Sequence, residues 1–149
     1  MWAAASLESK ILIFDIEGTD SKERGDQRKK FEQTTCLLAL ALADVVILNM
    51  WTTDIGRFDA SNLGLLRVIF EVNLKLFDQK QTKKLLFVLR DYSAKDNNFV
   101  RIRQTLEDDM VKIWSEIKKP EKYLKSSLTE FFTFDYCALP SPKYEGQAF

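Results

Sequence analysis

The stretch Ile13-Phe14-Asp15-Ile16-Glu17-Gly18-Thr19-Asp20 ends an apolar run in a carboxylate and places a glycine three positions later. In a phosphate site, Asp15 would hold Mg²⁺ through a water, because Mg²⁺ prefers carboxylates and keeps its waters. Gly18, with no side chain, would let its N–H approach a terminal phosphate. The plainer alternative is a turn after a buried strand, with a solvated acidic loop. Alone, the Asp-x-x-Gly spacing is a weak signal and favours the turn.

Two further stretches follow apolar runs in the same way. Arg90-Asp91-Tyr92-Ser93 puts a carboxylate at a strand end, where Asp91 can accept paired donors such as N1 and N2 of guanine. Its alternative is an Arg-Asp surface pair of little energetic weight. Trp51-Thr52-Thr53-Asp54-Ile55-Gly56-Arg57 is read from its residue types as a turn with an exposed arginine.

Other chemistries are excluded by composition. The chain has no histidine, and its two cysteines, Cys36 and Cys137, form no CxxC pair, which argues against zinc and a disulfide scaffold. Formal net charge is zero, so no basic excess favours nucleic acid. Hydrophobic residues are 46% and charged residues 30% of 149, the balance of one soluble globular domain. The longest apolar run, Cys36 to Ala43, is eight residues, well short of the ~20 that span a bilayer. The first ten residues carry no basic n-region, so no signal peptide is expected. None of the five glycines is followed by Lys-Ser or Lys-Thr, so the phosphate-holding GxxxxGK[ST] loop is not in this sequence. Nor is the common Asn-Lys-x-Asp guanine motif.

The elements that must position these residues alternate. Lys10–Phe14, Val45–Trp51, Leu85–Leu89 and Phe131–Leu139 read as strands, and their continuous runs predict burial on both faces of a parallel sheet. Met1 to Ala4 is expected as an edge strand hairpinned to the first of these. Three helices intervene. Over Gln27–Leu42 the predicted inner face is Phe31, Thr35, Leu38 and Leu42. Over Ser61–Phe77 it is Leu66, Ile69, Asn73 and Leu76, and over Phe99–Ile117 it is Leu106, Met110, Ile113 and Ile117. The order predicts an α/β fold with a mostly parallel sheet and right-handed crossovers, forming one domain over 1–149 with a mobile tail at 140–149. In such sheets, ligands bind beyond the carboxyl ends of the strands.

Taken together, "DIEGTDSKERGD" at 15–26, "LALALADVVILNMWTTDIGR" at 38–57, "LLFVLRD" at 85–91 and "LEDDMVKIWSEIKKPE" at 106–121 resemble the GTPase domain of the root-hair-defective family. These are atlastin-like, dynamin-superfamily GTPases of the endoplasmic reticulum. The resemblance implies a partial P-loop GTPase domain. It implies that Asp15 and Gly18 sense Mg²⁺ and the γ-phosphate of GTP. Arg90-Asp91 would be the family's variant guanine motif, with Asp91 reading the base. Ala138 to Ser141 falls loosely where the family closes over guanine and ribose. Further implications are a homodimer through the GTPase domain, a place on the cytoplasmic face of the reticulum membrane, and fusion or shaping of its tubules.

The resemblance begins at Met1, downstream of where the family carries its Gly-rich loop, its Mg²⁺-binding threonine and its loop arginine. It ends before the family's helical bundle and membrane segments, so membrane attachment is expected only through segments outside this sequence. The sequence therefore resembles a fragment lacking the phosphate-loop strand and helix, soluble as given and inactive alone. The alternative is a non-catalytic module that pairs with full-length GTPases through the surface near Arg57 and Asp91.

Overall fold

A computed structural model describes residues 2–6, 10–15, 28–57, 61–76 and 82–141. It opens with two short apolar strands, β1 (Trp2–Ser6) and β2 (Ile11–Asp15). They pair antiparallel, with Trp2 opposite Asp15 and Ser6 opposite Ile11. Next come α1 (Arg28–Leu42), β3 (Val45–Trp51), α2 (Ser61–Leu76), β4 (Lys83–Tyr92), α3 (Phe99–Glu116) and β5 (Phe132–Pro140). β3, β4 and β5 form a parallel sheet in that spatial order. The α/β class, the hairpin and the parallel sheet agree with the sequence reading. Among the described residues no strand joins β2 to β3, so the hairpin and the parallel sheet remain separate.

The helices gather on one face of the parallel sheet. With strand order β3-β4-β5, the right-handed sense usual for parallel connections puts α2 and α3 on the same side. α1 packs against α2, and α2 against α3. The covered face holds Leu48 and Met50 of β3, Leu85, Phe87 and Leu89 of β4, and Phe132 of β5. Phe70, Trp114, Phe131 and Phe132 interlock at centroid distances of 5.1 to 5.9 Å, closing the end of the core away from the carboxyl edge. Burying each such side chain contributes about 1.5–3 kcal/mol.

The opposite face is not covered among the described residues, which corrects the expectation of burial on both faces. Val45, Ile47 and Trp51 of β3 are exposed, as are Cys137 and Leu139 of β5. The continuous apolar runs made both faces look equal. Three helices stacked on one side bury only alternate residues.

The inner face of α1 is a second correction. Cys36 and Leu40 are buried, whereas Leu38 and Leu42 of the predicted stripe are exposed. The run Cys36-Leu37-Leu38-Ala39-Leu40-Ala41-Leu42 surrounds the helix with apolar side chains, so more than one stripe fits the period. In α3 polar residues leave one stripe only, and Leu106, Met110, Ile113 and Ile117 are buried as expected; in α2 Leu66, Ile69 and Asn73 are buried as expected, and so are Phe70, Val72 and Leu74 beyond the predicted stripe. Leu76 ends α2, but its side chain and Phe77 lie outside what is described.

β5 continues through Pro140, where the mobile tail was expected to begin, and Ser141 is buried. Residues 142–149 lie outside the described part.

Candidate functional site

Because β3, β4 and β5 are parallel, their carboxyl ends share one edge, and the chain leaves β3 and β4 there differently. After Trp51, β3 turns into a 3₁₀ segment over Thr52–Asp54. Its backbone closes with Ile55 N–H donating to the Thr52 carbonyl (3.4 Å) and Arg57 N–H to the Asp54 carbonyl (3.2 Å). Gly56 takes φ +79°, a conformation that costs glycine little, and Arg57 emerges exposed as expected. Arg57 lies beside a cleft of about 290 Å³ bordered by Arg67, Lys112 and Glu116.

β4 runs past its expected end at Leu89 and carries Arg90, Asp91 and Tyr92 in the strand. Leu89 pairs with Ala138 and Tyr92 with Pro140. Two residues of β4, Arg90 and Asp91, therefore face one residue of β5, Leu139. That is a β-bulge, a device that re-aims a side chain at a strand end. Asp91 carries φ +54°, in the left-handed region that aspartate tolerates better than most residues. Its side chain is exposed.

The bulge is held from both sides. The hydroxyl of Thr52, a buried side chain, donates to the Arg90 carbonyl at 2.6 Å. Trp51 pairs with Arg90 across the strands, and the Arg90 guanidinium lies 4.2 Å from the centre of the indole ring. Arg90 forms no ion pair with Asp91 among the described residues. On the α3 side, Tyr92 meets Phe99 edge-on at 5.9 Å and donates its hydroxyl to the Asn97 carbonyl at 3.2 Å. Asn97 N–H donates to the Ser93 carbonyl (2.9 Å), and the Asn98 side chain caps α3 by accepting from Arg101 N–H (3.2 Å). The corner that carries Asp91 is thus fixed at both strand and helix.

Asp15 ends β2 with its side chain exposed. It stands on the separate hairpin, and no hydrogen bond or ion pair joins it to Arg90 or Asp91 among the described residues. Gly18 lies in residues 16–27, outside the described part. Among the described residues no group of three or more acidic or thiol side chains could cage a metal. One exposed carboxylate still fits Mg²⁺, which is usually held by one or two carboxylates, waters and substrate phosphates.

Trp51 and Thr52 are the residues that sequence reasoning missed. Their loop reads as an ordinary turn from its residue types. The usable signal was position: both stand at the carboxyl end of a strand next to β4.

Comparison with known proteins is consistent over the whole chain. The profile of the Root hair defective 3 GTP-binding protein (RHD3) GTPase domain matches residues 2–149. Protein SEY1 homolog of Dictyostelium discoideum is 43% identical over 141 residues, covering 93% of this chain and 16% of that protein. Protein SEY1 homolog 2 of Trichomonas vaginalis is 47% identical over 136 residues, covering 90% and 17%. Protein sey1 of Schizosaccharomyces japonicus is 39% identical over 150 residues, covering 100% and 19%. The chain spans less than a fifth of the length of these relatives. With a matching profile from end to end, a parallel sheet of the right class and Asp91 on its carboxyl edge, the chain belongs to the RHD3 GTPase-domain family.

Proposed function

We propose that this chain carries the base-side and metal-side residues of a GTPase site, with Asp91 reading guanine. The observation that supports it most is the β-bulge that carries an exposed Asp91 at the carboxyl edge of β4. A carboxylate there accepts from N1–H and the N2 amine of guanine together, a charge-assisted pair of bonds. Arg90, drawn off to Trp51, leaves that carboxylate to the base. Asp15 would hold Mg²⁺ through a water, and the Gly18 N–H would approach the γ-phosphate. Bound Mg²⁺ supplies charge neutralisation at the phosphates during in-line attack by water.

In the longer protein of this family type, the same residues would serve GTP hydrolysis in a homodimer that fuses or shapes endoplasmic reticulum membranes. Membrane attachment would come through other segments, since no described helix is long and apolar enough to cross a bilayer. No nucleic-acid partner is proposed. The sequence holds no GxxxxGK[ST] loop to grip the phosphates, so the 149 residues alone are proposed to be inactive.

The test is single-turnover GTP hydrolysis by two proteins. One is the chain itself, and the other is the chain preceded by the segment that precedes the matched region in the Dictyostelium relative. The proposal expects Mg²⁺-dependent hydrolysis from the second only. Nanomolar to low-micromolar GTP binding by the chain alone contradicts it. A non-catalytic module pairing with full-length GTPases is the second reading, supported by exposed Arg57 beside its cleft. Co-purification with such a partner, with no nucleotide bound, would favour it.

A further inference from the structure

We infer that Trp51 and Thr52 are positioning residues that set Arg90-Asp91 for guanine selectivity; the inference rests on reading Asp91 as the base acceptor. The Arg90 carbonyl and the Asp91 N–H belong to one peptide plane. Thr52 anchors that plane by donating its hydroxyl to the carbonyl at 2.6 Å. The plane sets the direction in which the Asp91 Cα–Cβ bond leaves the bulge. Thr52 is only 7% exposed, and its hydroxyl, with its one proton committed to this bond, has little freedom to give it up.

Trp51 acts on the other half of the pair. Arg90 and Asp91 are chain neighbours of opposite charge, and a guanidinium left loose would compete for the carboxylate. The indole ring, 4.2 Å from the Arg90 guanidinium carbon, holds the cation on the uncovered sheet face. That cation–π contact gives Arg90 an alternative to Asp91. Both Asp91 oxygens then stay available to two N–H donors of a base. Trp51 touches no reacting atom in this scheme; it acts through Arg90, as Thr52 acts through the peptide plane.

The experiment uses the 149-residue chain and three mononucleotides, because base reading needs no phosphate loop. Ligand-observed NMR at millimolar concentration compares GMP, IMP, which lacks the N2 amine, and AMP. Amide hydrogen exchange at Arg90, Asp91 and Tyr92 reports the bulge independently of any nucleotide. Thr52→Val and Trp51→Ala should each lower the GMP-over-IMP preference about tenfold or more, the scale of one lost hydrogen bond to a charged group. Thr52→Val should also speed exchange at Asp91, with exchange in α3 unchanged. Thr52→Ser should restore both, and Trp51→Phe should restore much of the selectivity by keeping an aromatic face. If both variants keep the wild-type preference while Asp91→Ala abolishes it, the positioning role is overturned and base reading stands. If wild-type chain shows equal signals for all three nucleotides, base reading fails and takes this inference with it. Unchanged exchange at Asp91 in Thr52→Val overturns the anchoring role whatever the nucleotides do.

Discussion

Ile47 of β3 lies directly opposite Leu86 of β4, on the sheet face that no described helix covers. Ile47 is 56% exposed, whereas Phe87, one residue along β4 and on the other face, is fully buried. The two faces therefore predict opposite responses. Ile47→Thr should change stability by no more than about 0.5 kcal/mol and reduce self-association at high concentration. Phe87→Ala should cost about 3–5 kcal/mol. Urea unfolding and sedimentation of the two variants check this.

Tyr136 stacks on Phe87 at 5.3 Å, and its hydroxyl is buried without a hydrogen-bond partner. Burial raises its pKa above the ordinary tyrosine value; the Glu107 carboxylate adds to the rise and Arg103 opposes it. The neutral form is thus favoured in the fold, while the unfolded chain releases this proton near pH 10. Above about pH 10 the unfolded state binds fewer protons, so stability should fall as pH rises. Tyr136→Phe should lack that portion of the alkaline loss. At neutral pH it should be as stable as the parent or more so, since it removes an unpaired polar atom. Thermal unfolding across pH 8–11 measures both effects.

The placement of elements was largely legible, because polar and turn residues bound the apolar runs and α3 carries one clean stripe. Val45–Trp51 is the same strand in sequence and structure, and α3 starts at Phe99 as its spacing requires. Where the pattern was degenerate, reading failed. The apolar ring around Cys36–Leu42 fits several stripes, so its buried face depended on α2 rather than on period. The corner at Arg90-Asp91 was legible only as a residue pair. Its bulge depends on pairing with β5, some 50 residues further on, and its anchors come from the end of β3 and the turn that follows it. Local sequence carries no sign of either.

Asp91 also separates stability from function. Its φ of +54° suits glycine, so Asp91→Gly should leave stability within about 1 kcal/mol of the parent or raise it. The same change removes the acceptor carboxylate and should abolish GMP preference. Thermal denaturation together with ligand-observed NMR would show the two properties parting.

Asp15 is exposed at the end of β2, so Asp15→Ala should change folding stability by less than about 0.5 kcal/mol. In the fusion that restores a phosphate-binding segment, it should cost Mg²⁺-dependent hydrolysis 10-fold or more, the order expected when an electrostatic contribution of ~1.4 kcal/mol is lost. Hydrolysis at several Mg²⁺ concentrations checks the assignment, and unchanged rates would remove Asp15 from the metal side.

Base reading by Asp91 is tested most directly by exchanging its acceptor pattern. Xanthine carries a carbonyl oxygen where guanine carries the N2 amine, so it offers an acceptor that a carboxylate cannot satisfy. Asparagine provides one acceptor and one donor, the complement of that edge. GMP and XMP are titrated side by side into wild-type chain and Asp91→Asn, followed by ligand-observed NMR. Wild type should prefer GMP, and Asp91→Asn should reverse the order in favour of XMP. The same GMP-over-XMP ratio in both proteins would contradict the account.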